Sequence, residues 1–220
     1  MKSLDDANWF ENCQYKFEYV DCEVRELKYK EKLDIYDEIK INTLLNVLKS
    51  PMEYANLELA KILGKKQKSS IPFRKEKYTD EDFMKAIRNK LQYVDQEIFN
   101  IFNKLFKDKT YEIFNNMQND EKHSHINTHY KEVTHTTELA IFPNNIVLKN
   151  VSITGPEDFN AIEYNGQPVD LSNSQGYTYE EVYYFYYKNE NIGEVFTFLD
   201  KVKDMAKEFV EDIKNYIEKL

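Results

Sequence analysis

From Phe10 to Leu105 the apolar residues recur at three- and four-residue steps, the spacing that gathers them on one face of an α-helix. Phe10, Cys13, Phe17, Val20, Val24 and Leu27 make the first stripe, and Ser3 with Asp6 has the form of a capping box ahead of it. The charged run Lys28 to Lys32 marks a turn. Ile41, Leu44, Leu45, Leu48, Met52, Ala55, Leu59 and Ile62 make the second stripe, and Gly64 ends it. Ser50-Pro51-x-Glu53 is a helix-start signal inside that stripe. The phase nevertheless holds from Ile41 to Ile62, which predicts one helix kinked near Pro51. The two long helices are expected to pack antiparallel. Phe83, Ile87 and Leu91 follow Thr79, Asp80 and Asp82 as a third helix, 95–106 reads as a fourth, and a short fifth runs from Thr110 to about Asn119.

From Thr134 the period shortens to two. Leu139 to Phe142, then Pro143-Asn144-Asn145, then Ile146 to Leu148 reads as strand, turn and strand. Val151 to Thr154 and Ala161 to Tyr164 are further strands, with Asn165-Gly166 as a hairpin signal. Tyr177 to Lys188 is dominated by β-prone Tyr and Val. Asn191-x-x-Glu194 then reads as the cap of a last helix, with Val195, Leu199, Val202, Ala206, Phe209, Ile213 and Tyr216 on its apolar face.

These patterns predict a mainly α fold of the α+β type. It is a helical bundle with two long antiparallel helices, a small antiparallel β-sheet insertion and a closing C-terminal helix. The 220 residues are expected to form one domain, with helices over 4–126, a β-rich insertion over 127–190 and the last helix over 191–220. Only 5 Gly and 5 Pro support an ordered chain throughout.

Charge narrows the range of partners. A net charge of −9 argues against a duplex-DNA footprint, which needs clustered cations. The lysines of 65–68 and 74–77 read as a solvated loop around Ser70-Ile71-Pro72-Phe73. Cys13 and Cys22 lie nine residues apart, on opposite faces of a helix, so they cannot pair within it. With no signal peptide or membrane-spanning run, the chain reads as cytoplasmic, with reduced thiols and no membrane contact. There is no Gly-rich phosphate loop and no G-x-S-x-G elbow, so no cofactor is expected.

Asn46-Val47-Leu48-Lys49-Ser50-Pro51-Met52-Glu53-Tyr54-Ala55 resembles the N-L-R-S-A-L-D-H-L stretch of a bacterial and phage family of the HEPN-like helical class. That family's F-P-I and N-x-D-K-H segments correspond to Ile71-Pro72-Phe73 and Asn119-Asp120-Glu121-Lys122-His123. The resemblance covers roughly residues 35 to 125. Lys49, Glu53 and Tyr54 stand where the pattern has arginine, aspartate and histidine, so the bidentate fork of an arginine is missing. Catalytic members of the class carry an arginine a few residues before a histidine, whereas no arginine follows Arg88 here. The resemblance implies a homodimer that contacts RNA or a protein partner without catalysis.

All four histidines, His123, His125, His129 and His135, fall between positions 123 and 135. Lys122 and His123 beside Asn119 and Glu121 have the chemistry of a metal-independent endoribonuclease: an imidazole to move a proton and an ammonium to stabilise a phosphorane. Lys49 and Glu53, one helical turn apart, could orient the pair. The alternative is a polar knot at a helix end. His123, His125, His129 and His135 could instead bind a metal, because alternate strand residues face the same way. The tyrosines of 177–187 could stack bases, or pack a sheet face onto helices.

Overall fold

The computed structural model describes residues 6–64, 70–123, 126–142 and 146–220. Helix α1 (Trp9–Lys28) is capped by Asn8, whose side chain accepts from the backbone of Phe10 and Glu11 while Glu11 reaches back to the Asn8 N–H. Ser3 lies outside the described residues. Asp34 and Asp37 repeat this arrangement at the start of α2 (Ile35–Ile62), which runs as one helix through Pro51. The Cys13 thiol faces the Pro51 carbonyl at 3.5 Å, and burial pushes its pKa up to about 12. That makes Cys13 a packing residue.

Helix α3 (Asp80–Leu91) opens on a Thr79–Asp82 capping box, α4 (Gln96–Lys104) on Asp95, and α5 (Thr110–His123) extends one turn further than the sequence suggests. Together with α6 (Val195–Ile217) they enclose an aromatic and aliphatic core that includes Phe17, Leu48, Met52, Phe83, Phe102, Phe114 and Phe209. Ring pairs such as Phe83–Phe106, 5.4 Å apart at 80°, take the edge-on geometry that the ring quadrupole favours.

The expected bundle with a small sheet insertion is overturned. The fold is α+β, 52% helix and 21% strand among the described residues, built around a curled, half-barrel antiparallel sheet. Strands β1 (His129–Ile141), β2 (Val147–Pro156), β5 (Thr178–Tyr187) and β6 (Glu190–Glu194) pair in the order β2-β1-β5-β6. Two-residue strands β3 (Glu163–Tyr164) and β4 (Gln167–Pro168) form a separate hairpin, turned by Asn165 and Gly166 at φ 49° and 72°. Strand β1 starts at His129, well before the apolar run at Leu139. Its inward positions His129, Lys131, Val133, His135 and Thr137 are mostly polar and hide the alternation. Lys149 and Asn150 join two expected strands into one, with Asn150 at φ 48°.

One face of the sheet turns inward, and it is covered in two parts. Near the helices Tyr183 and Phe185 of β5 enter the main core. Farther out, the 157–177 connection folds back over β1 and β2. There the His135 ring lies against Phe159, Tyr177 and Tyr179, and its Nδ1 is 2.9 Å from the Tyr177 hydroxyl. Gly155 makes room for this: a Cβ there would meet the Phe159 ring at 2.5 Å. The opposite face carries Thr134–Thr154 and Thr136–Ser152 hydroxyl pairs at 2.8 Å and the tilted ring pair of Tyr130 and Tyr186. The β5 tyrosines are thus divided between packing and solvent faces.

Strand β6 runs directly into α6. Asn191 belongs to the strand, and Glu194 is the cap, its carboxylate accepting from the backbone of Phe196 and Thr197 at 2.9 and 2.6 Å. The sequence reading placed that cap three residues too early. No described helix is long and apolar enough to cross a membrane.

Candidate functional site

Helices α2 and α5 bring the two longer motif segments side by side. Asn46 donates to the Glu121 carboxylate, and the Lys49 ammonium donates to Asn115 Oδ1 at 2.9 Å. Lys49 is buried. Burial, reinforced by Lys122 and opposed by Glu53, holds its pKa below the ordinary lysine value. Burial and the nearby Glu53 also push the Tyr111 phenol upward. Phe73 of the third motif segment stacks near Tyr111 at 6.3 Å. Lys49, Glu53, Lys122 and Tyr111 therefore share one neighbourhood, with Glu121 at its edge.

His123 and Asn119 stand apart from it. Both are exposed, and neither side chain makes a hydrogen bond among the described residues. Asn115, one turn earlier than Asn119, takes the Lys49 ammonium. Of the pair expected to orient the histidine, Lys49 is engaged by Asn115, and Glu121, expected beside the histidine, is engaged by Asn46. Gln118, fully buried beside them, has an amide with no partner among the described residues.

The described histidines do not form one group. His125 lies outside the described residues. His129 and His135 are six residues apart on β1, about 20 Å in an extended strand. Among the described residues no three His, Cys, Asp or Glu are placed to hold a metal ion.

A second cluster lies where β1 leaves α5, and its organising contact is a buried asparagine clasp. Asn127 Nδ2 donates to Asn42 Oδ1 at 2.9 Å and to the Met117 carbonyl at 3.3 Å. Asn42 Nδ2 donates to the carbonyls of Asn127 and Glu38 at 3.1 and 3.0 Å. The clasp fixes the first residues of β1 against α2. It sets the His129 ring edge-on to Phe185, 4.8 Å away, with 1% of its side chain exposed. Burial lowers the His129 pKa to about 4, so the imidazole is neutral at pH 7.

Beside it runs a charged network. Lys131 is held between Glu157 and Glu181, the latter 3.3 Å from its ammonium and almost wholly buried. Tyr179 and Tyr183 donate to the same Glu181 carboxylate, and the Tyr183 oxygen accepts from the Leu33 backbone N–H at 3.1 Å. Burial tends to raise the Glu181 pKa, but the two phenols and Lys131 bring it below the ordinary value. Glu38 has the opposite balance. Burial and Glu157 raise it, against the pull of Lys131. His129, Glu38, Lys131, Glu157 and Tyr183 line a cleft of about 440 Å³.

Sequence reasoning placed His129 in a histidine tract and did not single out Glu38, Lys131, Glu157 or Glu181. The available signal was period two from His129 to Thr137, with its alternate members charged rather than apolar. Compared with known proteins, the chain matches no family model, no curated protein and no solved structure.

Proposed function

We propose that this chain is a non-catalytic interaction protein, HEPN-like in its helical half, acting through contact with a protein partner. One observation carries the reading. Two of the groups that would serve His123 are engaged elsewhere, Lys49 by Asn115 and Glu121 by Asn46, while His123 itself is exposed. A general base needs its companions within hydrogen-bond reach of the reacting group. The meeting of all three motif segments around α5 supports the HEPN-like resemblance. The net charge of −9 favours a protein partner over RNA.

The partner we infer first is a second copy of the chain, as that resemblance implies. Tyr29, Ile35 and Tyr36, at the turn between α1 and α2, are 83%, 68% and 77% exposed and offer an apolar patch for it. Sedimentation of the wild type over a concentration series is expected to show dimers that Tyr36→Glu dissociates. Incubation with structured RNA is expected to give no cleavage by either the wild type or His123→Ala. Cleavage by the wild type that disappears in His123→Ala would replace this reading with the ribonuclease one.

A further inference from the structure

We propose that the cleft between the start of α2 and the inward face of the sheet binds the hydroxyl groups of a small uncharged polyol, such as a mono- or disaccharide. The assignment starts from a proton count. Asn42 Nδ2 donates its two hydrogens to the carbonyls of Glu38 and Asn127, and Asn42 Oδ1 accepts from Asn127. The orientation of that amide is therefore fixed, and it presents its nitrogen to His129 Nε2 at 3.5 Å. A proton on Nε2 would oppose this donor. The neutral imidazole therefore carries its proton on Nδ1.

Nδ1 is buried and has no hydrogen-bond partner. The Glu38 carboxylate lies 3.6 Å from it, just outside bonding range. A buried N–H without an acceptor is costly, and its residue borders a cleft of about 440 Å³, from which a hydroxyl reaches Nδ1 when the partly exposed Glu38 side chain turns aside. A donor and an acceptor side by side match a hydroxyl, which accepts from Nδ1–H and donates to Glu38.

Charge selects against the other ligands of this size. Around the cleft Glu38, Glu157, Asp158 and Glu181 outnumber Lys32 and Lys131 by two, and Lys131 is already held by two of the carboxylates. Phosphates and carboxylates are repelled. An ammonium would meet the Nδ1–H head-on, donor against donor. The site is separate from the end of α5, and the proposal stands whether or not that end acts on RNA.

The test is a titration of ¹⁵N-labelled protein with glucose, N-acetylglucosamine and cellobiose, with inorganic phosphate and spermidine as charged counter-probes. The ligand-free spectrum should show the His129 ring protonated on Nδ1. At least one sugar should then move the His129 ring and the Lys131 amide saturably at millimolar concentration. Glu38→Ala should weaken that binding at least tenfold. His129→Phe, which keeps a ring against Phe185 and removes the donor, should weaken it equally. If His129→Phe does not fold, Glu38→Ala on the partly exposed rim decides. An Nε2-protonated ring, silence toward every sugar, saturable binding of phosphate or spermidine in their place, or sugar binding unchanged in Glu38→Ala would each overturn the proposal.

Discussion

The helical core and the sheet's inward face around His129 and Glu181 are both shielded from water, but they are held together in different ways. Phe102 belongs to an aromatic and aliphatic core, where stability follows from how completely side chains fill space. Around His129 and Glu181 the side chains are polar, and stability follows from whether each donor and acceptor is matched. The first region should respond to volume and ignore pH. The second should respond to charge and protonation.

The largest effect is expected from removing volume in the helical core. Phe102→Ala leaves a cavity beside Phe209 and should cost about 3–5 kcal/mol in urea unfolding, equally at pH 5 and pH 7.5. A strong pH dependence of that loss would break the contrast. Acid should act mainly on the sheet side. His129 takes up a proton near pH 4 in the folded chain, against an ordinary value of 6.5. Between those values the unfolded chain binds the proton and the folded one does not. Stability present above pH 6.5 is therefore lost as pH falls toward 4, by about 3 kcal/mol in total. Glu38, whose pKa is raised, pulls the other way, and Lys131, Glu157 and Tyr183 face the same cleft. Unfolding of His129→Phe should therefore be compared with wild type at each pH, and its acid loss should be the shallower. The smallest of the three effects is expected from Glu181→Ala, about 2 kcal/mol. It strips one counter-charge from Lys131 and leaves the phenols of Tyr179 and Tyr183 without their acceptor, while Glu157 still holds the lysine. A neutral or stabilising outcome would mean that this network contributes nothing net to the fold.

The same contrast explains what could be read from the sequence. Helices α1 to α4 and α6 announce themselves because their buried residues are apolar, and 3.6-residue periodicity is a statement about apolar positions. Strand β5 is visible through its tyrosines. Strand β1 is nearly invisible until Leu139, because the residues it turns inward, His129, Lys131 and His135, are those that usually mark a solvated segment. The proportion of sheet was underestimated for that reason. The neighbourhood of Lys49 and Glu121 was legible from motif order, but its partners Asn115 and Asn46 were not, since asparagine at those positions has no distinctive pattern. The cleft at His129 escaped notice altogether. It draws on α2 and the turn before it, β1, β5 and the connection after β2, residues up to 151 positions apart from Lys32 to Tyr183, and only folding collects them.

The passage from β6 into α6 has a mechanical consequence. With Glu194 serving as both the last strand residue and the helix cap, no slack lies between the edge of the sheet and the closing helix. One added residue at this joint would swing the helix face by about 100° relative to the strand, turning Phe198 and Val202 away from the core. The joint therefore works as a welded elbow. Tension applied to the sheet edge passes straight into a 23-residue rod braced against α2, rather than being absorbed by a loop.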